Sequence, residues 1–118
     1  STAKLTKYVN DSKKILSVLR LKIVKINKKY KEVYVWGAGV HTQKLLAQTN
    51  LYKTGIRAFV DSNPNYHMAK LINKPIIIPT KLIKEENLPI LISSKGYQES
   101  IKKQIEEMGL KNTILTLY

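Results

Sequence analysis

The stretch Val33-Tyr34-Val35-Trp36-Gly37-Ala38-Gly39-Val40-His41-Thr42, followed by Ile56-Arg57-Ala58-Phe59-Val60-Asp61, decides the fold. Its first four residues are β-branched or aromatic and read as a short buried strand that stops at Gly37. A helix follows at once and runs to about Asn50, with Val40, Leu45 and Leu46 apolar. Residues 56–60 read as a second strand, and its closing acid, Asp61, stands 22 residues after Gly39. Each piece has a physical task. Gly37 permits a tight turn from strand to helix, and Gly39 has no side chain to block a phosphate approaching the helix start. Unpaired N–H groups and the helix dipole favour an anion there. Asp61, at the end of the adjacent strand, is placed to accept hydrogen bonds from a ribose diol.

This is the strand–turn–helix–strand arrangement of a Rossmann unit, with one departure. The third glycine of G-x-G-x-x-G falls on Thr42, which is expected to alter the packing of helix on strand or to narrow the site. The predicted ligand residues are Gly37, Ala38, Gly39 and Asp61, with Ser93 from a later strand.

Downstream, strands and helices keep alternating. Ser62-Asn63-Pro64-Asn65 is turn chemistry, and residues 66–74 are expected to be loop. Pro75-Ile76-Ile77-Ile78-Pro79 is limited by its prolines to a brief strand, and residues 80–87 to one or two helical turns. Ile90-Leu91-Ile92 is the continuous apolar run of a parallel strand covered on both faces. Ser93 or Ser94 can cap a helix over 97–108, which Gly109 stops; Thr113-Ile114-Leu115 is a last strand. The pattern predicts an α/β domain over 33–118: a parallel sheet of four or five strands, 33–36 central, with helices on both faces. Ser93, Ser94, Lys95 and Tyr97 fall on the sheet edge where ligands of open parallel sheets bind. A short-chain dehydrogenase would need a lysine one helical turn after Tyr97, and Ile101 stands there.

Upstream, residues 1–32 form a lead-in predicted as a helix over 11–31, with Asp11 or Ser12 as N-cap. Ile15, Leu19, Ile23, Ile26 and Tyr30 make one helical stripe, which must pack on protein. The candidate partners are the following domain, preceding domains of a longer chain, or a second copy in a homodimer. Residues 1–32 also concentrate charge, with ten basic residues against two acids, a net of +8. The whole chain of 118 residues carries +13, but 19 of its 21 basic residues are Lys. Readers of nucleic acid lean on Arg for bidentate contacts, so the composition argues against a nucleic-acid partner.

Composition excludes several classes outright. With no Cys there is no disulfide framework, thiolate zinc site or Cys nucleophile. His41 and His67 are expected at the surface, and no metal cluster or Ser/His/Asp arrangement appears. No run is apolar enough for a membrane span, and residues 1–7 lack the apolar block of a signal peptide. A cytoplasmic location is the matching expectation.

Val-Tyr-Val-Trp-Gly-Ala-Gly, Phe-Val-Asp-Ser-Asn-Pro, Lys-Pro-Ile-Ile-Ile-Pro and Ile-Leu-Ile-Ser-Ser before Tyr-Gln-Glu-Ser-Ile come in a shared order. In that order residues 30–118 resemble the C-terminal domain of sugar C-methyltransferases, which act on nucleotide-linked deoxysugars. The resemblance implies a terminal module of a transferase that contacts the nucleotide-sugar and carries no catalytic residue. In that family the S-adenosylmethionine site belongs to preceding domains. Gly37, Gly39 and Asp61 match its motif positions, Ser93 and Ser94 match in location, and Val40-His41-Thr42 departs from it. At the glycine turn the expected occupant is a nucleotide-sugar or a dinucleotide. Two other readings stand beside this one: a free-standing nucleotide- or coenzyme-A-binding module, and a structural domain that assembles through helix 11–31.

Overall fold

A computed structural model describes residues 2–118. α1 covers Thr2–Lys29, β1 Val33–Trp36, α2 Val40–Gln48 and β2 Ile56–Val60. β3 covers Lys70–Leu71, β4 Lys74–Ile77, β5 Ile90–Ile92, α3 Gln98–Glu107 and β6 Ile114–Thr116. The six strands form one sheet in the order β3-β4-β2-β1-β5-β6. β4, β2, β1, β5 and β6 are mutually parallel, and β3 is an antiparallel edge on β4. The fold is α/β and Rossmann-like, with β1 in the middle as the sequence predicts.

Alternation along the central strands sorts their side chains into two cores. Val33 and Val35 of β1 and Leu91 of β5 face a core shared with Leu45 and Leu46 of α2. Tyr34 and Trp36, with Ile90 and Ile92, face the opposite core under Ile101 and Ile105 of α3. Both faces of β1 and β5 are therefore dry, which is why these strands read as unbroken apolar runs.

Three elements differ from the sequence reading. Residues 66–74, expected to be loop, contain β3 and the start of β4 as a hairpin. Its turn puts Ile72 and Asn73 at φ 44° and 63°, the conformation that two-residue hairpin turns require. Ile-Asn lacks the usual Asn-Gly signature, so the turn was not legible. The lead-in helix begins at Thr2 and not near Asp11, because nothing in residues 2–11 breaks a helix; Asp11 and Ser12 lie inside it and cap nothing. Tyr97 is the N-cap of α3 and has no side-chain cap bond.

Leu19 and Ile23 of α1 are buried in the α2-side core, with Ile26 and Tyr30 packed against it. Ile15, the first residue of the expected stripe, is 48% exposed, as are Val18 and Leu21 to similar or greater degree. For Ile15 the cause is length, whereas Val18 and Leu21 lie level with the buried Leu19 and Ile23 on the side of the helix turned away from the core. A 28-residue helix spans about 42 Å, and a sheet of two- to five-residue strands cannot cover it. Arg20 donates to the Gln48 carbonyl (2.8 Å) and Lys22 to the Leu117 carbonyl (2.9 Å), tying the helix down where it does pack.

Candidate functional site

Strand order reverses at β1: the chain moves outward from it through β2 and β4, then returns to its other side at β5. Open α/β sheets bind ligands at such a point, beyond the carboxyl ends of the strands. A cavity of about 570 Å³ opens there, bordered by Gly37, Gly39, His41, Asp61 and Asn63 on one side and by Ser94 and Tyr97 on the other.

The floor is built tightly. Gly37 has φ +125°, and its N–H donates to the Val60 carbonyl at 2.7 Å. A Cβ there would stand 2.5 Å from Ser93 Oγ and 3.0 Å from Thr42 Oγ1. Those two hydroxyls are buried and bonded to each other at 2.6 Å, and Ser93 Oγ donates to the Trp36 carbonyl at 2.9 Å. Thr42 therefore fills the place of the motif's third glycine with a hydroxyl that links α2 to the end of β5. Ser93 lies under the turn, fully buried, and neither caps α3 nor borders the cavity. Its neighbour Ser94 does border the cavity, and its Oγ accepts the Tyr97 N–H at 3.1 Å.

Asp61 comes beside the glycine turn as its spacing suggests, and it closes that turn. Oδ2 accepts the Ala38 N–H at 2.9 Å, and Oδ1 accepts the Asn63 N–H at 2.8 Å. Ala38 is buried, with its N–H spent on this bond. A carboxylate has about four acceptor positions, so each oxygen keeps one for a hydroxyl of a ligand. His67 Nε2 lies 2.7 Å from the Asp61 carbonyl, so that nitrogen carries the proton and donates; the ring holds the following loop against the end of β2.

The mouth of the cavity is open. Gly39 is the N-cap of α2, with no side chain to cap the helix. The first backbone bond of the helix runs from the Gln43 N–H to the Gly39 carbonyl. The N–H groups of Val40, His41 and Thr42 precede it and have no intrahelical acceptor. A Cβ at Gly39 would meet only the Tyr66 hydroxyl, at 3.7 Å. Gly39 also has an ordinary extended backbone, φ −81° and ψ −165°.

His41 stands on the rim and bonds through Nε2 to the Tyr118 hydroxyl at 2.7 Å. Partial burial, then Lys95, then Lys44, hold its pKa below the ordinary imidazole value, so the ring is neutral at neutral pH. Burial pushes the Tyr118 phenol up, so it stays protonated. Lys95 leans over the Tyr118 ring at 6.0 Å and does not border the cavity. No group of metal-ligating side chains occurs among the described residues. No helix among them is long and apolar enough to cross a membrane.

On the far side, α3 contributes Tyr97, Ser100, Ile101 and Gln104 to the wall. The sequence reading placed Tyr97 at this edge and missed Ser100 and Gln104. Their signal was present: a stripe at helical spacing with no charge, in a helix that is half charged.

Residues 29–115 match the family model described as C2185-like, N-terminal, and the chain belongs to this family. Its structure is also similar to a crystal structure of UDP-D-quinovosamine 4-dehydrogenase from Vibrio fischeri. The TM-score is 0.53 at 25% identity, over 74% of this chain and 77% of that one. No curated protein matches the sequence.

Proposed function

We propose that this chain is the nucleotide-sugar-contacting domain of a sugar-modifying enzyme, and that it does no chemistry alone. One observation carries the reading: the uncapped start of α2 presents three unpaired N–H groups at a cavity of about 570 Å³. A phosphate over Gly37–Gly39 would satisfy those donors, with the Asp61 carboxylate one strand away for a ribose. The likeness to a UDP-sugar enzyme supports the sugar-linked class of nucleotide. Binding is favoured over catalysis because the carboxylate and imidazole at the cavity are both engaged within the protein. The finer proposal is a methyltransferase setting, in which preceding domains hold S-adenosylmethionine and pack on α1. It rests on the order of the sequence motifs. It expects no turnover of labelled methyl donor by the 118-residue chain on a nucleotide-deoxysugar, and turnover would overturn it.

The test of binding is calorimetry with UDP-N-acetylglucosamine, NAD and coenzyme A on wild type and Gly39→Ala. The added methyl meets no backbone and needs no unusual φ, so the variant should fold and melt like wild type. Standing at the phosphate's approach, it should weaken the sugar nucleotide at least about tenfold. Equal binding to both proteins would make the turn purely structural.

A further inference from the structure

The α3 wall differs in chemistry from the rest of its helix. Five of the ten residues of α3 are charged: Glu99, Lys102, Lys103, Glu106 and Glu107. None of the five borders the cavity. Lys102 and Lys103 stand 3.9 Å from Glu99 and Glu107 in pairs along the helix. The face turned to the cavity is Tyr97, Ser100, Ile101 and Gln104, at positions i, i+3, i+4 and i+7 of one helical side. It presents a phenol ring, an amide, a hydroxyl and an aliphatic side chain, and no charge.

Tyr97 is 72% exposed, yet its backbone is clamped. Its N–H donates to Ser94 Oγ, and its carbonyl accepts from Ser100 Oγ (3.0 Å) and from the Ile101 N–H (3.0 Å). The backbone at Tyr97 is thus fixed, and its ring projects beside the cavity with most of its surface free to meet a ligand. Among the described residues the Gln104 amide has no hydrogen-bond partner, so its donors and acceptor remain for a ligand. From Tyr97 to Gln104 the wall rises about 10 Å, enough for one six-membered ring and its substituents.

Resting on the phosphate site proposed above, we infer that this wall is the subsite for the sugar half of the ligand, and that it selects a neutral sugar. The Tyr97 ring stacks on the C–H face of a pyranose, which is apolar, while the Gln104 amide exchanges hydrogen bonds with ring hydroxyls or an N-acetyl group. A uronate, or the second nucleotide of a dinucleotide with its further phosphate, would bring an anion to a wall that offers it no cation. Leaving such a charge unpaired in a partly dry cavity weakens binding.

Calorimetry with UDP, UDP-N-acetylglucosamine, UDP-glucuronic acid and NAD on wild type, Tyr97→Ala and Gln104→Ala tests this. Tyr97 is exposed and Gln104 only partly buried, so circular dichroism should show the variants folded. Wild type should bind UDP-N-acetylglucosamine about fivefold or more tighter than UDP, and UDP-glucuronic acid no tighter than UDP. Each variant should lose about fivefold for UDP-N-acetylglucosamine and leave UDP unchanged within about twofold. Equal losses for UDP and the sugar nucleotide, no loss for either, or a larger loss for NAD would each overturn the subsite. If UDP binds wild type and the sugar adds nothing, the subsite alone falls. If no nucleotide binds wild type, the glycine-turn reading fails and the subsite with it.

Discussion

On the floor of the cavity, Gly37, Thr42, Ser93 and Asp61 are each engaged in short hydrogen bonds within the protein, and the Thr42 and Ser93 hydroxyls fill the space a side chain at Gly37 would need. Along its rim, Gly39, Tyr97 and Gln104 are open to solvent or to the cavity and leave polar groups unspent. The two glycines of one motif fall on opposite sides of this division. Gly37 is there because the backbone bends to φ +125° over two hydroxyls, whereas the Gly39 backbone would accept any residue. A motif that looks uniform in sequence thus has one position that makes the fold and one that keeps a path open.

Substitutions should separate floor from rim. Gly37→Ala should have the largest effect on stability, about 3 kcal/mol or outright misfolding. A side chain there is strained at positive φ and collides with Ser93 Oγ. Thermal or urea unfolding measures it, and a loss below about 1 kcal/mol would break the distinction between the two glycines.

Ser93→Ala comes next, at about 2 kcal/mol. It removes the buried partner of Thr42 Oγ1 and one donor to the Trp36 carbonyl, and leaves the Thr42 hydroxyl without its bond. Nucleotide affinity of the folded fraction should not change, since Ser93 does not reach the cavity. A selective loss of affinity with unchanged stability would place Ser93 with the rim.

Asp61→Asn should cost about 1 kcal/mol of stability. A carboxylate accepts both the Ala38 and the Asn63 N–H, while an amide must turn its own N–H₂ toward one of them. Asp61 is the one position that can sharpen the comparison, because it serves the floor and also borders the cavity where the ribose is proposed to sit. Unfolding and calorimetry on this variant should both register, the first directly and the second through the ribose.

The smallest effect should come from His41 on the rim. Its folded pKa lies below the ordinary imidazole value, so the unfolded chain binds a proton more readily across that interval. Stability is therefore full above the ordinary value and declines as pH falls toward the lowered one. His41→Gln should flatten that acid-side decline, read from melting temperature against pH. A bound phosphate should raise the His41 pKa, which proton NMR of the ring would show. An unchanged titration with ligand bound would put the anion elsewhere than at the start of α2.

Local chain chemistry determined a great deal by itself. The runs Val33–Trp36 and Ile90–Ile92, the stop at Gly37 and the acid at Asp61 were enough to predict a parallel α/β sheet with β1 central and a glycine turn at its carboxyl edge. Such features depend on neighbours within a few residues, where strand period and backbone freedom act directly. What only the tertiary structure decided is the division of labour at that edge. Thr42 and Ser93 are 51 positions apart, and nothing in either local sequence says that their hydroxyls meet under Gly37. Asp61 could be placed near the turn by spacing, but its two backbone donors come from opposite sides of the chain, at Ala38 and Asn63. Ser100 and Gln104 reach the cavity only because α3 settles on the Trp36 face of the sheet with that side toward it. These are contacts across the fold, set by how helices settle on a twisted sheet, and the order of residues along the chain does not specify them one by one.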